Sequence, residues 1–450
     1  MAALMRSRPG WVTSRPAGLA AWAGLAAVVG AGFAFTSSTP FPGVTTLLPV
    51  LGTAALIVGG SASTRWSPAA ILSVRPMLFL GAISYSLYLV HWPLQQIPQS
   101  AVGYENPLPL VVTLGLGVLA VPLAWLSFRF VEEPFRTSPQ AKRARTSTTL
   151  WATAAASAIV VAASSGLIVV ANQTPISSGR PVEAGSNLST PPVVPSFVPS
   201  NIAPPLRTAA DDNAVIYSDG CHQEEGDTDT DGCWFGDNAD APSVVLFGDS
   251  HAASWFPTFD TLAEAGDIRL NSNTKSSCGS VLLAEERVKR SYPACDQWRR
   301  GVIERLQADP PTVIVLANFA SARLGREADP AAAWEEALQR TVAELPSSSR
   351  VVVMADTADF GVTPGMCLAA HVEDTEACAV PRDEALDEPV RAVERETQGI
   401  DWIDLTDRMC DDVNCYPVVD DFLVTRDAHH LTKTFAEALA PALRERLPLG

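Results

Sequence analysis

Two short polar segments, far apart in the sequence, carry the residue types of a serine nucleophile and its base. Ser250 stands in Gly-Asp-Ser-His, after an apolar run at Val244–Phe247 and before apolar positions that recur at helical spacing. Asp427 and His430 stand near the C-terminus in Asp-Ala-His-His-Leu-Thr. A serine hydroxyl is a weak nucleophile until a base removes its proton, and an Asp that orients an imidazole supplies that base. The pattern predicts attack on an ester or acyl donor by Ser250.

A strand that turns sharply into a helix would place Ser250 at the helix N-terminus. Unpaired N–H groups and the helix dipole stabilise a developing negative charge there. The alternative for an isolated Gly-Asp-Ser is structural, with Asp249 or Ser250 only capping the helix. His429 competes with His430 for the role of base, although the spacing Asp-x-x-His favours His430. His251 is expected to lie near the substrate.

Further apolar runs along the second half of the chain predict an α/β domain. The expected strands after the first cover residues 268–271, 312–317, 350–355 and 399–405. The expected helices cover residues 298–307, 331–344, 390–398 and 433–447. This alternation indicates a parallel sheet with helices on both faces, in which the site lies at the carboxyl ends of the strands.

All eight cysteines lie in the second half of the chain. An even number confined to one region indicates disulfides formed in an oxidising compartment. No Cys-x-x-Cys pair occurs, so no metal site is expected. The acidic loop between the first two cysteines lacks the spaced ligands of a calcium loop and is expected to be solvated. Connectivity does not follow from sequence, and pairing between neighbours is the working hypothesis: Cys221–Cys233, Cys278–Cys295, Cys367–Cys378 and Cys410–Cys415.

The first half of the chain contains apolar segments that each approach the ~20 residues needed to cross a bilayer. They cover residues 17–35, 44–60, 77–94, 108–128 and 150–170. Arg residues precede the first segment and lie between the second and third, and both Lys and Arg lie between the fourth and fifth. The other two loops contain neither. The positive-inside rule then makes the N-terminus cytoplasmic and places the chain after residue 171 outside. The net charge of −17 disfavours nucleic-acid binding.

These features together resemble a known family. Gly248–His251 opening an α/β unit and Asp427–Thr432 closing it are similar to the SGNH hydrolases, and more narrowly to those fused to bacterial acyltransferase family 3 membrane proteins. Ser84–Pro93 (SYSLYLVHWP) and Phe130–Arg136 (FVEEPFR) look like the last part of that membrane domain. The resemblance implies a multi-domain chain: an α-helical transmembrane region of about five spans, then an SGNH, flavodoxin-like three-layer α/β domain with a parallel sheet.

The resemblance also implies two donors to the oxyanion. In SGNH enzymes the loop after the second strand donates a backbone N–H, and Gly279 is the candidate because glycine permits close approach. An Asn after the third strand directs its amide at the oxyanion, and Asn318 is placed for this role. The alternative is an Asn that only supports a loop turn, since the family's usual Gly-x-Asn is missing.

The membrane region departs from the family. Full-length members carry a catalytic histidine within an Arg-rich motif of their first span, whereas residues 17–35 contain no polar side chain able to carry a proton. The chain therefore resembles the final part of that domain and is expected to be a truncated form, a natural fragment or half of a split system. His91, near a membrane boundary, is a candidate functional residue. The alternative is an interfacial anchor beside Trp92.

Composition and the family resemblance together divide the chain into four expected parts. These are a partial acyltransferase-3 domain with four spans (1–147), a transmembrane helix that leads outside (148–172), a Pro/Ser-rich linker (173–208) and an extracytoplasmic SGNH hydrolase-like domain (209–450). The linker has few charges and no sustained periodicity. An extended, semi-rigid spacer is therefore expected there.

The resemblance implies a membrane-anchored O-acyltransferase, expected to be an O-acetyltransferase, acting on cell-envelope polysaccharide, peptidoglycan or glycolipid. The alternatives are an extracytoplasmic carbohydrate or lipid esterase and a non-catalytic tethered binding module. No bound cofactor is expected; the acyl donor, for which an acetyl-CoA-derived group is the candidate, is a substrate. Expected partners are the bilayer, a glycan or glycolipid acceptor and a protein that supplies the missing spans, with no nucleic acid. The expected location is the cell membrane, as a multi-pass protein with its C-terminal domain extracytoplasmic.

Overall fold

The computed structural model divides the chain into a helical unit and an α/β unit. The described residues are 15–35, 43–60, 67–102, 108–139, 143, 145–183, 185, 188–283, 292–320 and 329–449. The first unit comprises Met1–Ser100 and Leu108–Thr153, and the second Ala101–Pro107 and Ala154–Gly450. The multi-domain fold class is therefore confirmed, whereas the finer boundaries at residues 147 and 172 remain predictions.

The described part of the first half contains long apolar helices and two short ones. They are α1 (Arg15–Ala34), α2 (Leu47–Gly60), α3 (Ala69–Leu72), α4 (Arg75–Val102), α5 (Leu110–Ser127), α6 (Glu133–Thr137) and α7 (Thr146–Gln173). A π-helical turn, Phe128–Glu132, joins α5 to α6. Among the described residues, four helical segments are long and apolar enough to cross a membrane: Pro16–Ala34, Arg75–Ser100, Leu110–Thr137 and Thr146–Ala171.

The second expected span, residues 44–60, is shorter than the other four. Helix α2 has 14 residues and follows a single 3-10 turn at Val44–Thr46. A helix of that length covers roughly 20 Å, less than the ~30 Å hydrocarbon core of a bilayer. Its glycines let it pack closely on α1, since a Cβ at Gly59 would lie 2.3 Å from the carbonyl oxygen of Ala17. The expected five spans thus become four of full length and one short apolar helix.

The second unit is built on a seven-stranded, mostly parallel sheet. The strands of the unit are β1 (His222–Gln223), β2 (Cys233–Phe235), β3 (Ser243–Gly248), β4 (Arg269–Lys275), β5 (Val313–Ala317), β6 (Arg350–Met354), β7 (Val380–Pro381), β8 (Asp401–Ile403), β9 (Asn414–Cys415), β10 (Val418–Val419) and β11 (Phe422–Leu423). The sheet order is β1-β4-β3-β5-β6-β8, with β2 antiparallel to the outer side of β4. Two short ribbons pair β7 with β9 and β10 with β11. The parallel sheet agrees with the predicted fold class.

Helices cover both faces of this sheet. They are α8 (Ser250–Glu264), α9 (Pro293–Ala308), α10 (Pro330–Glu344), α11 (Pro364–Ala370), α12 (Arg382–Ala385), α13 (Glu388–Glu396), α14 (Lys433–Ala438) and α15 (Ala440–Arg446). Side chains of β3 alternate between two buried clusters, one containing Phe256 and Phe435 and the other Trp298 and Trp334. The helix expected at 433–447 is two helices that meet at Leu439, because Pro441 lies in the first turn of α15.

The cysteines pair as neighbours along the sequence. The four disulfides are Cys221–Cys233, Cys278–Cys295, Cys367–Cys378 and Cys410–Cys415. Each closes a loop local to one part of the α/β unit, and no cysteine is free. The predicted connectivity is confirmed.

The Pro-rich segment expected to be a spacer packs against the α/β unit instead. Val198 and Ile202 are buried in a cluster with Leu368 and the Cys367–Cys378 disulfide. The backbone N–H of Val198 donates to the carbonyl oxygen of Val372 at 2.8 Å. A Pro-rich segment with a few apolar side chains can still dock on a globular surface. At least residues 193–208 therefore belong to the folded domain.

Replacing Ile202 with alanine is expected to destabilise the α/β unit by about 2 kcal/mol, because it leaves a cavity in this cluster. Val193→Ala is the matched control, since Val193 lies in the same segment but is 57% exposed. The measurement is the urea midpoint of the detergent-solubilised chain. Equal midpoints for the two variants would show that the segment is not docked in solution.

Candidate active site

The turn between β3 and α8 fixes the position of Ser250. Gly248 has no space for a side chain, since a Cβ would lie 1.8 Å from the carbonyl oxygen of Ala317. Asp249 is the helix cap and accepts a hydrogen bond from the backbone N–H of His251 at 2.9 Å. Ser250 is the first helical residue, so its N–H has no partner within the helix. Because Asp249 does the capping, the hydroxyl of Ser250 is available for other contacts.

Asp249 is a buried carboxylate that ties this turn to the next strand. Its Oδ2 accepts a hydrogen bond from the N–H of Phe319, after β5, at 3.0 Å. Burial raises the pKa of Asp249, although the neighbouring His251 and the two backbone donors act in the opposite direction. Asp249 thus holds two strand ends together rather than facing substrate.

Ser250, His430 and Asp427 form one hydrogen-bonded chain. The Nε2 of His430 lies 2.9 Å from the hydroxyl of Ser250, and its Nδ1 lies 2.9 Å from Oδ2 of Asp427. Burial alone would raise the pKa of Asp427, but the His430 hydrogen bond and charge, with Arg426, hold it well below its usual range. The carboxylate therefore stays ionised. The arrangement can remove a proton from Ser250 and stabilise the imidazolium that forms.

The 427–430 loop is held in place from two sides. Oδ1 of Asp427 accepts the backbone N–H of His430 at 2.9 Å. The hydroxyl of Thr357, after β6, donates to the carbonyl oxygen of His429 at 2.7 Å. The N–H of Leu431 donates to the buried hydroxyl of Ser254 in α8 at 2.7 Å. The candidate base and the candidate nucleophile are thus fixed to the same helix.

Gly279 and Asn318 lie together beside the cap of α8. The Oδ1 of Asn318 accepts hydrogen bonds from the N–H and hydroxyl of Ser280, at 2.6 and 3.0 Å. The amide NH₂ of Asn318 therefore points away from Ser280. A Cβ at Gly279 would lie 2.9 Å from that Oδ1 and 3.6 Å from Oδ2 of Asp249. The two predicted donors are neighbours, and their role at the oxyanion remains a prediction.

Replacing Asn318 with alanine is expected to lower kcat for ester hydrolysis by about 10²–10³-fold, because one donor to the oxyanion is lost. Ser280→Ala is the matched control, since it removes a contact to the same side chain and leaves the amide in place. Steady-state kinetics of the detergent-solubilised chain measure both. An unchanged kcat for Asn318→Ala would assign the residue to the loop turn alone.

A second polar chain runs beside the first. Nδ1 of His251 contacts Oδ1 of Asp356, and Nε2 of His251 lies 2.9 Å from Nδ1 of His429. The ring of His251 is 1% exposed and stacks on Phe319 at 4.2 Å. His251, expected near substrate, is therefore enclosed, with both ring nitrogens engaged. Sequence analysis missed Asp356, although its position directly after β6, at the edge that carries Ser250, was a usable signal.

Three histidines of the site could also act as metal ligands. Ring nitrogens of His251, His429 and His430 all lie within 4.8 Å of one another, and this is the group with that property among the described residues. Their nitrogens already contact one another, Asp356, Asp427 and Ser250. A metal ion would have to break the contact between Ser250 and His430. The hydrogen-bonded arrangement fits proton transfer better than metal binding.

The membrane candidate His91 belongs to the helical unit. Its Nδ1 lies 2.9 Å from the carbonyl oxygen of Tyr88 and 3.0 Å from that of Leu87, in the preceding turn of α4. The two motifs of the membrane region contact each other in space, because the hydroxyl of Ser86 donates a hydrogen bond to a carboxylate oxygen of Glu132 at 3.1 Å. The geometry assigns His91 no partner with which to do chemistry among the described residues, and its role stays a hypothesis.

Residues 220–445, half of the chain, match the family described as the SGNH domain (fused to AT3 domains). The chain belongs to this family. Residues 1–129 match the family described as the acyltransferase domain. Together the SGNH match and the acyltransferase-3 match show a membrane protein with acyltransferase or esterase activity.

One solved structure similar to the chain is the periplasmic domain of a lipopolysaccharide acetyltransferase from Salmonella ser. Paratyphi A. The two are 13% identical, with a TM-score of 0.41, over 54% of this chain and 97% of that chain. Among curated proteins, none matches this chain.

Proposed function

We propose that the chain is a membrane-anchored O-acyltransferase, specifically an O-acetyltransferase, that uses Ser250, His430 and Asp427 to acylate a cell-envelope glycan or glycolipid. The observation that carries the proposal is the chain of 2.9 Å contacts from Ser250 through His430 to Asp427. Cell-envelope polysaccharide, peptidoglycan and glycolipid are the acceptor classes to test.

The first step forms an acyl-enzyme. The Oγ of Ser250 attacks the carbonyl carbon of the acyl donor while its proton moves to Nε2 of His430, and Asp427 stabilises the resulting imidazolium. The N–H of Ser250, the amide of Asn318 and the N–H of Gly279 receive the oxyanion. Collapse of this intermediate releases the donor's leaving group and leaves the acyl group on Ser250.

The second step distinguishes a transferase from an esterase. A glycan hydroxyl that attacks the acyl-Ser250 carbonyl gives the acylated glycan, whereas water gives the free acid. Both reactions use the same side chains, so the acceptor that reaches the site decides the outcome. The esterase is therefore the second candidate function, and partner proteins of the membrane region would favour transfer by supplying the donor.

The site is proposed to work outside the cytoplasm. Four disulfides hold the α/β unit, and such bonds persist in oxidising compartments. The excess of Lys and Arg on alternate loops of the first half supports the same orientation. Donor acyl groups made in the cytoplasm would then have to cross the membrane before they reach Ser250.

The test is to detect the acyl-enzyme. The detergent-solubilised chain is mixed with p-nitrophenyl acetate, quenched rapidly in acid and digested, and the peptide containing Ser250 is examined by mass spectrometry. One acetyl group on Ser250 is expected. Release of p-nitrophenol with Ser250 unmodified, or with the acetyl group on another residue, would refute the nucleophile. Chase of the acetylated chain with a cell-envelope glycan separates transfer from hydrolysis.

A further inference from the structure

Asp356, His251 and His429 form a continuous hydrogen-bonded chain that the Ser250 nucleophile does not use directly. Asp356 follows β6, His251 lies in the first turn of α8, and His429 lies in the loop after β11. The hydrogen-bonded chain starts at Asp356, whose side chain is 24% exposed, and ends at the half-buried ring of His429. Its last ring centroid lies 4.3 Å from that of His430. A second set of proton-carrying groups thus ends beside the catalytic base.

The contacts of this chain allow only two arrangements of its hydrogens when both imidazoles are neutral. If Asp356 is ionised, His251 donates from Nδ1 to Asp356 and accepts at Nε2 from His429, so that Nε2 of His429 is a bare acceptor. If Asp356 is protonated, each hydrogen bond reverses, and Nε2 of His429 carries a hydrogen. A proton taken up at Nε2 of His429 is therefore stored on the carboxyl group of Asp356.

The environment of the three groups favours storage on the carboxylate. Burial lowers the pKa of His251 and that of His429 to about 4, so both rings stay neutral. Burial also raises the pKa of Asp356 to about 8. Asp427, by contrast, has a lowered pKa. The pKa values of two carboxylates in one site are thus shifted in opposite directions. Shifts of this kind commonly separate an acid from a base in an active site.

Nε2 of His429 is the end of this hydrogen-bonded chain that lies opposite Asp356. Among the described residues it has no hydrogen-bond partner, whereas Nδ1 is held by His251. Asp356, at the other end, lines a cavity of about 320 Å³ together with Phe319 and Arg391. The carboxyl can exchange its proton with solvent through that cavity, so the chain can be reset between turnovers.

We propose that the Asp356–His251–His429 chain is a second proton carrier of the active site, in which His429 serves the substrate oxygens while His430 serves Ser250. The inference rests on the proposed acyl-enzyme function. His429 is the catalytic residue, because it would contact the leaving and attacking oxygens. His251 and Asp356 act through it, as positioning and proton-storing residues.

The protons balance over one cycle. In acylation, Ser250 gives its proton to His430, the bond from Oγ to the acyl carbon forms, and the donor's leaving oxygen takes a proton from His429, which leaves Asp356 ionised. In transfer, the acceptor hydroxyl gives its proton to His429 as its oxygen bonds to the acyl carbon, which returns Asp356 to its protonated form. The bond from Oγ to the acyl carbon then breaks, and His430 returns the proton to Ser250.

The test compares two acetate esters that differ in their leaving group. p-Nitrophenolate leaves without a proton, whereas the alkoxide of an O-acetylated methyl glycoside must be protonated. With the detergent-solubilised chain, His429→Gln and Asp356→Asn are expected to keep the p-nitrophenol burst within a few-fold of the wild-type rate. The same variants are expected to hydrolyse the glycoside ester about 10²–10⁴-fold more slowly, the usual contribution of general acid–base catalysis.

Controls separate this inference from the proposed function. Ser250→Ala should lose the burst and both hydrolyses; a retained burst would refute the nucleophile itself. Asp359→Asn, a carboxyl of the same cavity outside the chain, should leave the ratio of the two rates unchanged. If His429→Gln and Asp356→Asn cleave the glycoside ester at the wild-type rate, or lose the burst as well, the proposal of a second proton carrier is wrong. If His429→Gln does not fold, Asp356→Asn decides on the same criterion.

Discussion

Replacing Ser250 with alanine is expected to reduce ester hydrolysis by about 10⁶-fold, since loss of the nucleophile disables the whole triad. The residual rate comes from the oxyanion donors and from substrate binding, which the substitution leaves in place. Alanine also fits the first turn of α8, where Asp249 and not Ser250 caps the helix. The fold should therefore survive, and the loss should be one of chemistry.

The measurement is steady-state hydrolysis of p-nitrophenyl acetate by the detergent-solubilised chain, with labelling by a fluorophosphonate probe as a second readout. Ser243→Ala is the matched control, because Ser243 lies at the other end of the same strand and its hydroxyl contacts Thr312. Wild-type labelling in Ser250→Ala would place the nucleophile elsewhere. Absence of labelling in the unmodified chain would favour a tethered binding module.

Replacing Asp427 with asparagine is expected to reduce kcat by about 10⁴-fold. An amide NH₂ that donates to Nδ1 of His430 would leave the hydrogen on Nε2, where it blocks acceptance of the Ser250 proton. The amide also carries no charge to stabilise the imidazolium. The amide oxygen can still accept the backbone N–H of His430, so the loop should keep its conformation.

Asp401→Asn is the control for this substitution. Asp401 accepts a hydrogen bond from Arg350 at 3.0 Å on the surface, as Asp427 does from Arg426, but it lies far from the nucleophile along the sheet. An exposed pair of this kind contributes only about 0–1 kcal/mol to stability. Wild-type kcat in both variants would remove Asp427 from the mechanism, and an equal loss in both would point to folding.

The sequence predicted the parts of the site that follow from strand ends. Ser250 and Asn318 come after apolar runs that lie side by side as β3 and β5, so a parallel sheet brings them together. The pairing of His430 with Asp427 is local, because three residues separate them on one loop. Neighbouring cysteines paired for a similar reason, since short loops need little chain to close.

The remaining features depended on long-range packing. Asp356, His251 and His429 come from three distant segments, and only the fold shows that they form one chain. The burial of Val198 and Ile202 could not be predicted, because composition indicates the backbone preference of a segment and not the surface on which it packs. The short second apolar helix was overcounted because hydropathy does not mark where a helix ends.

The acidic loop between Cys221 and Cys233 carries its own counter-ion. The ammonium group of Lys275, fully buried at the end of β4, donates to the backbone carbonyl oxygens of Glu224, Glu225 and Asp227. Three backbone oxygen atoms of this loop are thus bound by a covalently attached cation. The rigidity of this edge of the sheet should then not change when a chelator is added or when the metal-ion concentration of the surrounding medium changes.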